Sequence, residues 1–348
     1  MRPARFGPAD SDRIRKQKAK IKVDWAGVSY DRAMILPLEP GRSRAGAPDA
    51  VGFGLNTVDL LAVVGDYPLP DTKQPLDDLL ERPGGQAATA MTACARLGWR
   101  ARYVGRFGND RYGDVARAAL DRDGVDLTGC EQVDAPQAVS LILVDAAGRR
   151  TVLWRRAEAL DIRPEDVDAG VVTAGRVLLV DDHQTAAATR AATLARAAGV
   201  PTVIDVERVR PGIDALLEQI DVIITAQDFP EAYTGVEGVG AALSRLAERF
   251  RPALTCATLG VEGSLAVVDG REVRTPGFTV DVVDSTGAGD VFRGGFIAGW
   301  LASAPGARVD RVLTYANAVA ALKCRALGAR TAIPTPDEVE DLLRGTGR

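Results

Sequence analysis

The 348-residue chain is long enough for one large domain or two ordinary ones, and an apolar fraction of 46% is ample for a core. Its net charge of −4 gives no electrostatic reason to expect nucleic acid or an acidic membrane surface as a partner. A single histidine, His183, excludes multi-histidine metal centres, and four scattered cysteines with no Cys-x-x-Cys suit a reducing, cytoplasmic setting.

Residues 1–48 differ from the rest. Four of the six lysines lie there (Lys16, Lys18, Lys20, Lys22), prolines recur, and no period of 2 or 3.6 is sustained. The expectation is a poorly ordered extension over 1–48, followed by one domain over 49–348. The basic start lacks the apolar stretch of a secretory signal, and no run elsewhere approaches a membrane span.

Ala50 to Asn56 reads as a buried strand, with Asp59 at or just past its end, where ligands collect in open α/β sheets. Gly52 and Gly54 lack the third glycine of a dinucleotide fingerprint. Leu60–Val64 and Thr72–Leu80 read as strand-like pieces around the turn Pro68–Pro70. Gly84-Gly85 opens a helix from Gln86 to Leu97, and Gly98 closes it. A helix follows over Tyr112–Arg122, then a hairpin of Val139–Val144 and Thr151–Trp154 around Asp145-Ala-Ala-Gly148. This hairpin interrupts the βα rhythm, so segments 59–82 and 137–157 are expected to form a small separate sheet.

From Val177 on, strands and helices alternate regularly through Leu259. A hairpin at Asp269-Gly270 follows, then a short strand Thr279–Val283, a helix Ala288–Ala302, and two last helices, about Arg308–Ala326 and Pro336–Arg344. The fold class expected is α/β, a doubly wound, mainly parallel sheet flanked by helices, with a small separate β-sheet, which the resemblance described below implies is a lid.

The stretch Val283 to Phe296, Val-Asp-Ser-Thr-Gly-Ala-Gly-Asp-Val-Phe-Arg-Gly-Gly-Phe, carries the chemistry. Its glycines, Gly287 and Gly289, leave bare backbone N–H groups at a helix start, where the dipole is positive and anions bind. Asp290 stands in the first helical turn, placed to take a proton from a hydroxyl that attacks phosphorus. No lysine in the chain follows a glycine, so there is no P-loop. Neither a protein-kinase His-Arg-Asp nor a hydrolase Gly-x-Ser-x-Gly is present.

This stretch resembles the C-terminal signature of the PfkB (ribokinase-like) carbohydrate kinases, Asp-Thr-Thr-Gly-Ala-Gly-Asp-x-Phe-x-Gly-Gly-Phe, with Ser285 for the first Thr. Gly84-Gly85-Gln86-Ala87-Ala88-Thr89, with Ala95-Arg96-Leu97-Gly98, is similar to the N-terminal signature of the same family. The resemblance implies an ATP-dependent kinase of a sugar hydroxyl that uses Mg2+, acts on a small molecule rather than nucleic acid or membrane, and forms a homodimer through its lid. Asp290 is then the general base, and Gly287, Ala288 and Gly289 are the anion hole. Asp59, Gly85, Gln86 and Thr89 bind the sugar. Thr258, Gly260, Gly263, Asn317 and Gln227 lie on the nucleotide side.

The departures point to an unusual substrate. Gln86 and Thr89 replace two asparagines of the motif, and the Asn-x-x-Glu that organises magnesium reads Thr225-Ala-Gln227-Asp228-Phe-Pro-Glu231. At the monovalent-cation loop, 328–334, Ala332 replaces a serine, which weakens the expectation of K+. In detail the motifs look most like the sulfofructose kinase branch, for which Arg106, Arg155 and Arg156 are candidate sulfonate ligands. A nucleoside kinase of the same family, or a silent nucleotide-binding protein on its fold, is the alternative.

Overall fold

The computed structural model describes residues 34–145 and 150–345. Residues 1–33, with the basic run, and the hairpin tip at 146–149 lie outside the described residues.

The chain enters through β1 (Ala50–Phe53), β2 (Thr57–Val63) and β3 (Asp78–Gly84), then α1 (Gln86–Arg96). β4 (Ala101–Val104), β5 (Arg106–Gly108), α2 (Arg111–Arg122) and β6 (Glu131–Val133) follow. The hairpin is β7 (Val139–Val144) and β8 (Arg150–Arg155). The regular alternation runs α3 (Ala169–Val172), β9 (Val177–Asp181), α4 (Thr185–Ala197), β10 (Thr202–Val206), α5 (Ile213–Leu217), β11 (Val222–Thr225). It continues through α6 (Phe229–Thr234), α7 (Val239–Phe250), β12 (Leu254–Thr258) and the hairpin β13 (Ser264–Val268) and β14 (Arg271–Thr275). Three helices end it: α8 (Ala288–Ser303), α9 (Val309–Lys323) and α10 (Pro336–Gly345).

Eight strands form the central sheet in the order β14-β13-β12-β11-β10-β9-β1-β4. All neighbours from β12 to β4 pair in parallel, and only β13 and β14 run antiparallel. Every residue of β9, β10 and β11 is buried, as a parallel sheet covered on both faces requires. Successive residues feed opposite layers. Val177 and Leu179 pack with α1, α8 and α9, whereas Leu178 and Val180 pack with α4, α5 and α7. The strand period of 2 thus builds two cores from one run of apolar residues.

A second sheet, β3-β2-β7-β8, stands apart as the lid. β2 pairs with β7 in parallel, and β3 and β8 flank them antiparallel. This is the expected small sheet, with one correction: the segment 64–77 is irregular, so the third strand begins at Asp78 rather than Thr72.

Two other expectations change. The extension does not reach residue 48. Leu36 is buried, its N–H donates to the Ala307 carbonyl at 2.9 Å, and the Met34 carbonyl accepts from Val309 at 2.9 Å. One apolar side chain and these backbone bonds pin the segment to the start of α9 without any sequence period. No strand forms at Thr279–Val283 either. Val282 and Val283 are exposed, and the Val283 N–H donates to the Cys324 carbonyl, in the turn after α9, at 2.8 Å. The segment's partner is a turn rather than a sheet edge.

Candidate active site

The parallel strands end together along one edge of the sheet, and the candidate residues collect there. Gly287 is the N-cap of α8 with φ of 75°. A side chain there would also strike Ala329, its Cβ at 2.7 Å, so only glycine makes this turn. Ala288 donates its N–H to the Ser285 carbonyl at 3.1 Å, which closes the turn. The N–H groups of Gly289 and its neighbours belong to the first helical turn, which has no acceptor within its own helix. The expected anion hole is therefore a tight turn whose donors come from the helix start.

Asp290 is buried at 9% exposure. Burial, with the fields of Glu207 and Asp59 added, pushes its carboxyl up to about 7, against the opposing pull of Arg293 and Arg330. A base with a value near neutral is suited to accept a proton and to release it again.

Asp59 is brought to the same place from the other end of the chain. It lies within β2 rather than at the end of β1, because the chain leaves the central sheet at Gly54, where φ is 153°. Thr57 Oγ1 donates to its carboxylate at 3.0 Å, and the Ser140 hydroxyl adds a second bond. Burial raises Asp59 to about 6, and Arg330 opposes the rise. Across the lid, Arg82, Asp59, Ser140 and Trp154 stand in one cross-strand row and so share one face.

Arg330 binds the two ends together, and sequence reasoning missed it. It is 3% exposed. Its guanidinium donates to the Gly84 carbonyl and, through Nε at 3.1 Å, to Thr89 Oγ1, while Nη1 stays buried without a partner. Its charge acts on both Asp59 and Asp290. Burial lowers its own value to about 10. The signal was its place two residues past Gly328 in a loop that returns to the diglycine, and such a return is invisible before folding.

Gly85 caps α1 with φ of 94°, where a side chain would run into the backbone of Asn56. Gln86 follows, with both amide atoms buried and unpartnered. Buried polar groups are nearly always paired, so an open amide two residues past Gly84, which packs on Asp59, marks a place for a polar ligand. Thr89, fully buried, is committed to Arg330.

The nucleotide-side candidates form a second group. Thr258 Oγ1 bonds the Thr225 carbonyl at 3.3 Å across the strand ends. Gly260 and Gly263 both have positive φ, and a side chain at Gly263 would strike the backbone of Thr275 and Gly277. Asn317 on α9 reaches the same segment. Its Nδ2 bonds Ser264 Oγ, Thr275 O and Pro276 O at 3.1, 3.2 and 3.3 Å. That nitrogen fixes α9 to the hairpin, which leaves only its oxygen for a ligand. Gln227 is exposed just beyond β11. Glu231, the carboxylate of the altered Asn-x-x-Glu, accepts the Gly238 N–H at 2.9 Å.

Beneath the turn lies a buried ion pair also absent from the sequence reading. Arg293 Nη2 is 2.9 Å from Asp205 Oδ1 and donates instead to the Ile224 carbonyl at 3.2 Å. Neither Asp205 oxygen has a hydrogen bond, and burial raises that carboxyl well above its usual range. The expected sulfonate ligands are mostly engaged: Arg106 pairs with Glu131 and Asp166, and Arg156 with Asp161.

The sequence profile of the pfkB family carbohydrate kinases matches residues 48–336. The chain belongs to the pfkB carbohydrate kinase family. Among relatives of this pfkB kinase is an ATP-dependent ribose-1-phosphate kinase of Halopiger xanaduensis, 34% identical over 298 residues, 82% of this chain and 94% of the relative. A fructokinase of Klebsiella pneumoniae is 31% identical over 288 residues, 76% of this chain and 93% of that one. In fold it is similar to a ribokinase from Thermotoga maritima, with a TM-score of 0.75 at 23% identity, over 85% of this chain and 99% of that chain. The kinase is thus a phosphotransferase acting on an alcohol group of a carbohydrate.

Proposed function

We propose that this kinase transfers the γ-phosphoryl group of ATP to a hydroxyl, a primary one, of a sugar or sugar derivative held between Asp59 and Gln86. The reading rests on one observation. Asp59 and Asp290, from opposite ends of the chain, are both buried, the charge of Asp59 raises the affinity of Asp290 for a proton, and Arg330 acts on both. Asp59 accepts hydrogen bonds from the sugar's hydroxyls and fixes the ring. Asp290 removes the proton of the attacking hydroxyl, and the N–H groups at the start of α8 stabilise the charge that develops on the phosphoryl oxygens.

Magnesium fits this site as an ion carried largely by the nucleotide's phosphates and by water, its usual mode. Among the described residues no group of three or more His, Cys, Asp or Glu side chains is placed to hold a metal alone. Glu207, exposed and acting on Asp290, is the carboxylate available to the ion's water shell. When bound, the ion would screen the phosphate charge.

The lid supports a homodimer. Leu79, Leu141 and Leu153 are exposed on the lid, and the strand register places Leu141 and Leu153 on the face away from Asp59. No described helix is long and apolar enough to cross a membrane, and a cytoplasmic setting follows the family.

The test is ADP release over a panel of hexoses, ketoses, pentose 1-phosphates, sulfosugars and nucleosides. The expected result is turnover on one sugar class. Preference for a nucleoside would move the reading within the family, and nucleotide binding without ADP release on any member would overturn it.

A further inference from the structure

A monovalent cation between the loop at 328–334 and the turn that precedes the anion hole would compete for the oxygens of Asp284, each of which already accepts a hydrogen bond. Asp284 begins the turn. Its Oδ1 accepts from the N–H of Thr286 at 2.8 Å and from Thr286 Oγ1 at 2.7 Å, and its Oδ2 accepts from the Gly328 N–H at 2.7 Å. Its carbonyl oxygen accepts from Lys323 Nζ at 2.8 Å. Ala332 offers no side-chain oxygen. The residues present therefore do not fit an added potassium ion.

The cation they do hold is covalently attached. Lys323, the last residue of α9, has 0% exposure. A buried ammonium is costly unless charge and hydrogen bonds compensate it. Burial lowers the value of Lys323, and the field of Asp284, with those of Cys324 and Asp290, works against that fall while Arg150 adds to it; the hydrogen bond to the Asp284 carbonyl is the direct compensation. Arg150 approaches from the lid and donates to Thr286 Oγ1 at 3.3 Å. The turn is thus tied from below to α9 by Lys323, and from the side to the 324–328 segment by the Cys324 carbonyl and the Gly328 N–H. An ammonium group and a potassium ion carry the same charge and have similar radii, so either can neutralise and stiffen one ring of oxygens.

We propose that the Lys323 ammonium replaces the monovalent cation, so that the kinase needs no potassium, and that removing it creates a potassium-activated enzyme. This rests on the reading of the 287–289 turn as the phosphate cradle. It makes Lys323 a positioning residue, acting through the turn rather than on substrate.

The experiment compares the wild type with Lys323→Ala and Lys323→Met in potassium, ammonium, sodium and choline chlorides at one ionic strength. Three quantities are read: ADP release, affinity for a fluorescent ATP analogue, and thermal midpoint. The wild type should be the same within about twofold in every salt. Lys323→Ala should lose at least tenfold in nucleotide affinity in choline and regain most of it in potassium or ammonium, with a matching recovery of the midpoint. Lys323→Met, which fills the volume, should lose affinity without rescue. Potassium activation of the wild type would overturn the proposal, even if both variants fail to fold. So would a Lys323→Ala variant whose affinity equals the wild type's in choline, or whose loss is the same in every salt. Nucleotide affinity is measurable without a sugar, so a failed substrate panel would leave this test decisive.

Discussion

The central sheet and the lid each hold one half of the proposed active site, on very different foundations. Asp290 stands on a helix buried along most of its length, over a parallel sheet covered on both faces. Asp59 stands on β2 in a four-stranded sheet whose last strand, β8, is exposed at every residue. A buried parallel sheet is stable by itself, whereas a thin sheet with an open apolar face depends on what covers it. On the proposed reading the phosphate half is prebuilt, whereas the sugar half is the one that substrate and a partner lid would complete.

The largest effect should come from the rigid half. Asp290→Asn keeps the shape and removes the base. It should lower kcat by about 10^3-fold, within the range of general-base catalysis, while a fluorescent ATP analogue still binds. Near-normal turnover would mean that Asp290 only caps α8. On the lid, Asp59→Asn should act mainly on binding. Losing charged acceptance of sugar hydroxyls costs about 1.5–3 kcal/mol, so KM for the sugar should rise about 10–100-fold, with nucleotide affinity unchanged. Equal losses in both ligands would erase the distinction between the halves.

These predictions also mark what could be read before folding. The glycine turn, α8 and the diglycine helix α1 were legible because their signals are local: glycine where φ is positive, small residues at helical spacing, an acid in a first turn. The parallel alternation from β9 to β12 was legible for the same reason. Asp59 was expected at the end of the first strand and at the start of the lid segment; its place in the middle of β2 was not legible, because nothing in residues 54–57 announces that the chain passes directly from one sheet to the other. Arg330, Arg293 and Lys323 were missed as a class. Each is a buried cation whose importance lies in a partner far along the chain: Gly84, Asp205 and Asp284. Charge in a sequence reads as surface until tertiary contacts bury it.

The acidity of the two carboxylates sharpens the comparison next. Asp290 must be ionised to act as base, so kcat/KM should fall as pH drops through about 7. Asp59 gains its proton near 6. Below that value both carboxyls are protonated, and the slope should steepen from one toward two decades per pH unit. A flat rate between pH 5.5 and 8 would show that neither proton matters. The lid itself is tested by Leu141→Asp with Leu153→Asp, which places charge on its exposed apolar face. Sedimentation should show a shift toward monomer, together with a several-fold rise in KM for the sugar. An unchanged oligomer would place the partner elsewhere.

The smallest expected effect concerns stability and has the opposite sign from the loss of rate. Asp290 binds its proton more tightly in the folded chain, at about 7, than the ordinary carboxyl at 3.8. The unfolded chain therefore releases that proton first as pH rises, and between these two values the native state holds more protons than the unfolded one. Stability contributed by this group is full below the lower value and is lost as pH rises through the upper one. At pH 8 the wild type must keep a buried charge, whereas Asp290→Asn holds a neutral amide of the same shape. The variant should thus melt a few degrees higher than the wild type at pH 8, roughly 2–4 °C for a chain of this size, and the gain should shrink as pH falls and vanish only below about pH 4. The same change at Asp59, whose value is displaced less, should give a smaller gain. A variant that melts lower than the wild type at pH 8 would mean that the Asp290 carboxylate holds the fold together rather than burdening it, and the prebuilt half of the site would then owe its order to the base itself.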